Sequence, residues 1–225
     1  MKKTLLFICT LLPFFAFAQC HSSVSVFGGV DYDYRLIPNS VFEEGATGML
    51  RETAQVKSRF GVNFHNRVNE KLYFKTGLRV ANIGYNQLVR EQQYDAGQHR
   101  IISYTKEIDN LYLEVPFMFG LTIGHDRVSA FVELGVSPHI FLNANHVDSS
   151  DKYWDRLNDQ TLDYFNFLTL SGNMSVGLDF LVTDNVSTFI APTARYHFTS
   201  SSLEIEGEQL LSFGVEFGVR KRIND

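Results

Sequence analysis

Phe213-Gly214-Val215-Glu216-Phe217-Gly218-Val219-Arg220 alternates without a break. Phe213, Val215, Phe217 and Val219 take one parity; Gly214, Glu216, Gly218 and Arg220 take the other. In a β-strand, successive side chains point to opposite faces, so a period of two sorts these residues into an apolar face and a polar one. A helical period would mix them. The polar face also alternates large charges with residues that have no side chain at all. That is the packing expected where charged groups fill a confined interior and need space beside them.

The same pattern runs back through the chain. Alternating segments fall at 22–33, 54–67, 71–85, 107–123, 127–141, 165–182, 186–199 and 210–222, which makes eight strands. In the second, Val56, Phe60, Val62 and Phe64 oppose Lys57, Arg59, Gly61, Asn63 and His65. In the third, Leu72, Phe74, Leu78 and Val80 oppose Lys75, Gly77 and Arg79. The fourth sets Leu111, Leu113, Val115, Phe117, Phe119 and Leu121 against Tyr112, Glu114, Pro116, Met118 and Gly120. The fifth sets Ala130, Val132, Leu134 and Val136 against Ser129, Phe131, Glu133, Gly135 and Ser137. The sixth sets Leu170, Met174, Val176, Leu178 and Phe180 against Ser171, Asn173, Ser175, Gly177 and Asp179. The seventh is less regular, with Arg195 and His197 opposite Ile190, Pro192 and Tyr196. Pro192 and Pro116 each lack a ladder donor, so a local bulge is expected at both.

Links between these segments alternate in length. Val68-Asn69-Glu70, Gly124-His125-Asp126 and Thr183-Asp184-Asn185 are hairpin-sized and made of turn formers. The others, at 34–53, 86–106, 142–164 and 200–209, are long and polar. Short turns at one end and long loops at the other, over an even number of strands, mark an outer-membrane barrel. Several segments also reach the roughly 9–11 residues that a tilted strand needs to cross a bilayer. The expected fold is all-β, an eight-stranded antiparallel up-and-down transmembrane β-barrel. A soluble lipocalin-like barrel is the competing reading, and it would bury Phe60, Leu78, Phe117, Val176 and Phe217 rather than expose them.

The start of the chain agrees with export. Met1-Lys2-Lys3, an apolar run to Phe15 and Ala16-Phe17-Ala18 form a secretory signal peptide over residues 1–18, leaving 19–225 as the barrel domain. Of the two cysteines, Cys9 leaves with the leader. Cys20 then has no partner for an intramolecular disulfide, and Gln19 before it argues against lipid attachment. Phe (20) and Tyr (10) are abundant while Pro (5) is scarce, which suits strands and interfacial belts. A net charge of −5 is mild and signals neither a nucleic-acid binder nor a strongly anionic tail, so no nucleic-acid partner is expected.

The polar face supplies the candidate site. It collects Lys57, Arg59, Lys75, Arg79, Arg195 and Arg220 with Glu114, Glu133, Asp179 and Glu216. In an eight-stranded barrel the lumen is only wide enough for side chains, and buried charges must be paired. These residues are expected to form a salt-bridge plug; a narrow solute path is the alternative. Catalytic or metal-binding signatures do not stand out, so neither enzymatic activity nor a cofactor is expected. A second candidate, for interaction, is the acidic aromatic loop containing Asp148, Asp151, Trp154 and Asp155.

Three stretches resemble a known family. The Ala18–Gln19 junction, the segment Leu111-Tyr112-Leu113-Glu114-Val115-Pro116-Phe117-Met118-Phe119-Gly120 with its Leu-Glu-x-Pro core, and the closing strand Phe213–Val219 are similar to the small outer-membrane β-barrel proteins of Bacteroidota, the PorT-like or porin-like group. The resemblance implies an outer-membrane location and a barrel. It implies little about activity; one branch of the group assists a secretion system. The expectation is a structural or narrow porin-like barrel, monomeric, in contact with outer-membrane lipid and lipopolysaccharide. The alternative is an interaction module whose external loops bind an envelope or secretion-system protein.

Overall fold

A computed structural model describes residues 22–36, 51–95, 98–124, 127–148, 154–156, 166–199 and 209–223. Residues 1–18, expected to be the signal peptide, Cys20 and Asp151 lie outside them. The regular elements among the described residues are all strands: β1 (Ser22–Leu36), β2 (Arg51–Thr53), β3 (Gln55–Arg67), β4 (Leu72–Asp95), β5 (Gln98–Glu114) and β6 (Phe117–Ile123). After these come β7 (Val128–Asp148), β8 (Trp154–Arg156), β9 (Leu168–Thr183), β10 (Val186–His197) and β11 (Gln209–Arg222).

All pairings are antiparallel, and they close on themselves. β1 pairs with β3 on one side and β11 on the other. From β3 the ring continues to β4, then to β5 and β6, then β7, β9, β10 and back to β11. β5 and β6 are two lengths of one stave, because both sit between β4 and β7. The short β2 and β8 are edge additions on β4 and β7. The ring therefore has eight staves, in meander order, with no free edge around its circumference.

The faces divide as the alternation requires. Phe60, Leu78, Val176 and Phe217 are 59%, 57%, 45% and 57% exposed. Phe117 is half-buried, because its ring lies beside Phe74 on the same outer surface, with centroids 6.4 Å apart. A soluble barrel would expose no such continuous apolar belt; lipid is the solvent that accepts it.

Two expectations need correction. Neither proline bends the ladder out of register. Glu114 faces His139 and Phe117 faces Val136, so the count is unchanged across Pro116. The Val115 amide still donates to the Pro138 carbonyl at 3.0 Å. At Pro192 the pairing to β11 runs through without a shift. A proline removes its own donor, but a bulge needs an extra residue, and none is inserted here. The extra residue is Leu142, where Leu111 faces Asn143 and Tyr112 faces Phe141. A second irregularity lies at Val186/Ser187. The other correction concerns the link at 86–106. It is a long hairpin in which β4 and β5 stay paired from Asn86↔Glu107 to Asp95↔Gln98. Polar residues on both faces hid it from an alternation test.

Inside, the lumen is layered along its axis. Near the short turns, Phe27, Phe131, Phe189 and Ala191 form one apolar cluster. Towards the long loops, Ala81, Ile83, Tyr85, Ile108, Tyr112, Phe141, Ala144 and Leu210 form another. Glycines make room for the first layer. The Tyr73 ring fills the space where a Cβ at Gly120 would sit, and a Cβ at Gly218 would lie 2.8 Å from the Phe189 ring. Gly124 serves differently: its φ of 112° closes the turn after β6 in a conformation that L side chains rarely adopt.

Candidate functional site

The central charged residues lie between the two apolar layers. Their inward direction follows from strand parity, and their common height follows from the register. Arg59 on β3, Arg79 on β4, Glu114 on β5, Arg195 on β10 and Glu216 on β11 converge on the barrel axis, each 3% exposed or less. Asp31 on β1, 2% exposed, completes the set.

These six groups form a closed ring of alternating charge. Arg195 donates to Asp31 at 2.7 Å, and Asp31 accepts from Arg59 at 3.2 Å. Arg59 reaches Glu216 at 3.0 Å, and Glu216 meets Arg79 at 3.4 Å. Arg79 meets Glu114 at 3.4 Å, and Glu114 lies 3.8 Å from Arg195, which closes the circuit. Three guanidinium groups and three carboxylates cancel in formal charge. Arginine suits the task because its planar fork can serve two carboxylates at once. Neutral partners support the ring: Arg79 Nε donates to Asn63 at 3.0 Å, and Ser137 donates to Glu114 at 2.8 Å. Arg79 also stacks on Phe27, 4.9 Å from the ring centre.

Other pairs flank the ring. On the short-turn side, Lys75 donates to Glu133, which also accepts from Tyr73 and Ser175, each at 2.7 Å. Below them Arg220 donates to Asp179 at 2.6 Å. On the loop side, Lys57 pairs with Asp109 and lies 3.6 Å from Glu107. Between ring and flank, Arg59, Lys75, Arg79, Met118 and Glu216 border a void of about 10 Å³. That is about the smallest space that admits one water molecule.

All ten predicted lumen residues thus face inward, and the structure joins each to an opposite charge. Sequence reasoning missed Asp31, Asp33 and Arg35, which are 2%, 0% and 3% exposed. A parity test on the first segment would have found Asp31 and Asp33, since Val26, Val30 and Tyr32 occupy the opposite parity; Arg35 lay in the expected link, because β1 runs on to Leu36. It also missed Asp109. No sequence spacing could have shown that His139 and His197 meet, with ring centroids 4.8 Å apart and His139 bonded to Ser171 at 2.7 Å.

A closed ring of lipid-faced staves around a charged interior is the geometry of an outer-membrane barrel. The sequence pattern of the outer membrane protein beta-barrel domain family matches residues 17–204. The chain belongs to that family. It is an outer-membrane protein, and β11 (Gln209–Arg222), which lies beyond the match, completes the ring. No curated protein matches this barrel-domain chain by sequence. Among solved structures, Neisserial surface protein A is 11% identical, with a TM-score of 0.48 over 90% of this chain and 97% of that one. OprG of Pseudomonas aeruginosa is 10% identical, with a TM-score of 0.43 over 92% and 97%. The attachment invasion locus protein Ail of Yersinia pestis is 13% identical, with a TM-score of 0.39 over 89% and 98%.

The loop candidates of this barrel-domain protein are only partly placed. Asp148 ends β7, while Trp154 and Asp155 lie in β8 and pair with Val147 and His146. The end of β7 is thus flanked by β5 on one side and β8 on the other.

Proposed function

We propose that this protein is a structural, non-conducting outer-membrane barrel whose lumen is plugged by its own charges. One observation carries the reading: the closed Arg195–Asp31–Arg59–Glu216–Arg79–Glu114 circuit spans the barrel, drawn from six of its eight staves. A pore needs a continuous aqueous path, and the void beside the ring holds about one water. Apolar layers above and below the ring oppose ion passage in the same way. In this reading the protein is exported with a cleaved signal peptide, stands as a monomer among phospholipid and lipopolysaccharide, and catalyses nothing. The resemblance to the Bacteroidota group belongs to the same proposal.

Planar-bilayer recording of the purified barrel tests the plug. The expected trace is flat, without unitary steps. Reproducible unitary conductance from correctly folded protein would overturn the proposal and favour the narrow-pore reading.

A second reading rests on the β4–β5 ribbon. It continues nine pairs beyond Asn86↔Glu107, to Asp95↔Gln98, on the long-loop side. Such a projection exceeds what crossing the bilayer requires, and it offers a paired surface to an envelope or secretion-system partner. Deleting residues 87–105, with the barrel still folded, would abolish partner recovery in this reading; unchanged recovery would refute it.

A further inference from the structure

Among the described residues, arginines without a carboxylate partner gather at the short-turn mouth of the lumen. The central ring cancels, and Lys75 and Glu133, Lys57 and Asp109, and Arg220 and Asp179 each form a pair. Below Arg220, the chain opens into a cavity of about 200 Å³. Arg67, Arg127, Arg220, Arg222 and Asp179 border it, and they come from β3, the start of β7, β11 and β9. Strand parity turns Arg67 and Arg222 inward, with Arg59 and Arg220, rather than toward lipid headgroups. Among the described residues, Asp179 is the one carboxylate in the wall, and Arg220 already holds it at 2.6 Å. The Arg222 guanidinium donates to the Asp184 carbonyl oxygen at 3.4 Å and has no carboxylate within ion-pair distance among the described residues. Arg67 and Arg127 have no carboxylate within ion-pair distance among the described residues.

The cup is closed at its inner end. Arg220 lies over the Phe189, Phe131 and Tyr73 rings at 5.4, 5.6 and 6.0 Å. These aromatics separate it from the Lys75–Glu133 pair. The rest of its wall carries the hydroxyls of Ser22, Ser23, Thr122, Ser129 and Ser187, with Leu181 and Asn185 beside them. Converging guanidinium groups with hydroxyl donors between them suit an oxyanion that offers several acceptor oxygens. Arginine binds phosphate in this way, through its fork and its charge together.

We propose that this mouth is a binding site for a phosphate-class anion on the side of the barrel that bears the short turns. In an outer-membrane barrel that side is periplasmic. The anion is either free inorganic phosphate or the phosphoryl group of an inner-leaflet phospholipid. The site lies beyond the plug and does not depend on whether the lumen conducts.

The test uses the folded barrel in phosphatidylcholine nanodiscs at low ionic strength. Titration with inorganic phosphate in a calorimeter should show saturable binding, weakened at least about tenfold in Arg67→Gln/Arg222→Gln, where two charge-assisted contacts are lost. Arg222→Gln alone, at an exposed rim position, keeps the test open should the double variant fail to fold. Lys221→Gln is the control: it removes the same charge one residue away but on the outer face, and should leave binding unchanged. In a second arm, native mass spectrometry after folding with phosphatidylglycerol should show a retained lipid that the arginine variants lose, if the source is a headgroup. A response in either arm supports the site and identifies the source. Binding in neither arm overturns it, as does equal weakening by Lys221→Gln.

Discussion

Replacing Glu216 with glutamine should unbalance the central ring while preserving its shape. Glu216 lies 3.0 Å from Arg59 and 3.4 Å from Arg79, and all three side chains are at most 4% exposed. The substitution leaves three arginines facing Asp31 and Glu114 alone. Removing one partner of a buried ion pair typically costs about 3–5 kcal/mol, because the survivor keeps its desolvation penalty without compensation. With a urea dependence of about 2 kcal/mol per molar, the unfolding midpoint should fall by roughly 1.5–2.5 M. Arg79→Gln should cost a similar amount, and it also loses Asn63 and the Phe27 contact. The double variant restores two cations against two carboxylates. It should therefore be less destabilised than the sum of the single variants, by about 1–3 kcal/mol. Equilibrium urea unfolding in lipid vesicles measures each midpoint, followed by the gel shift between folded and heat-unfolded forms. If Glu216→Gln lies within about 0.5 kcal/mol of the parent, or the cycle is additive, the ring is not a coupled unit.

Adjacent positions on β4 offer a sharper contrast. Leu78 is 57% exposed on the outer face, next to the paired Arg79. It lies about 14 Å above the β3–β4 turn, at ~3.4 Å per residue and ~45° tilt, near the middle of the lipid belt. Leu78→Arg should cost about 2–4 kcal/mol in the same vesicle assay; a neutral result would place that face away from lipid. Gly120→Val should destabilise by about 1–3 kcal/mol through overpacking, since the Tyr73 ring occupies its Cβ space and would lose its bond to Glu133. Gly120→Val paired with Tyr73→Ala should recover much of that loss; no recovery would assign the cost elsewhere.

Much of the barrel was legible because a membrane imposes a simple rule on each strand. Lipid demands apolar side chains at every second position, so parity alone assigned the faces of Phe213–Arg220 and of most other segments. The rule weakens where lipid ends. Residues 86–106 carry polar residues at both parities and read as a loop, yet 86–95 and 98–106 are paired strand. The bulge at Leu142 was equally hidden, since it depends on the count of residues opposite Leu111 and Tyr112 rather than on composition.

The sequence by itself determined that Lys57, Arg59, Lys75, Arg79, Glu114, Glu133, Asp179, Arg195, Glu216 and Arg220 share one enclosed face. Parity is a local property, carried by each strand alone. Which charge meets which is not local. Asp31 and Arg195 are far apart in the chain and 2.7 Å apart in space, because β1 and β10 both flank β11 and the barrel wraps their inward faces toward one axis. Closure and stagger set the height of every inward residue. Only the tertiary structure could therefore turn separate charges into a neutral ring at one level and an arginine-rich cup at another.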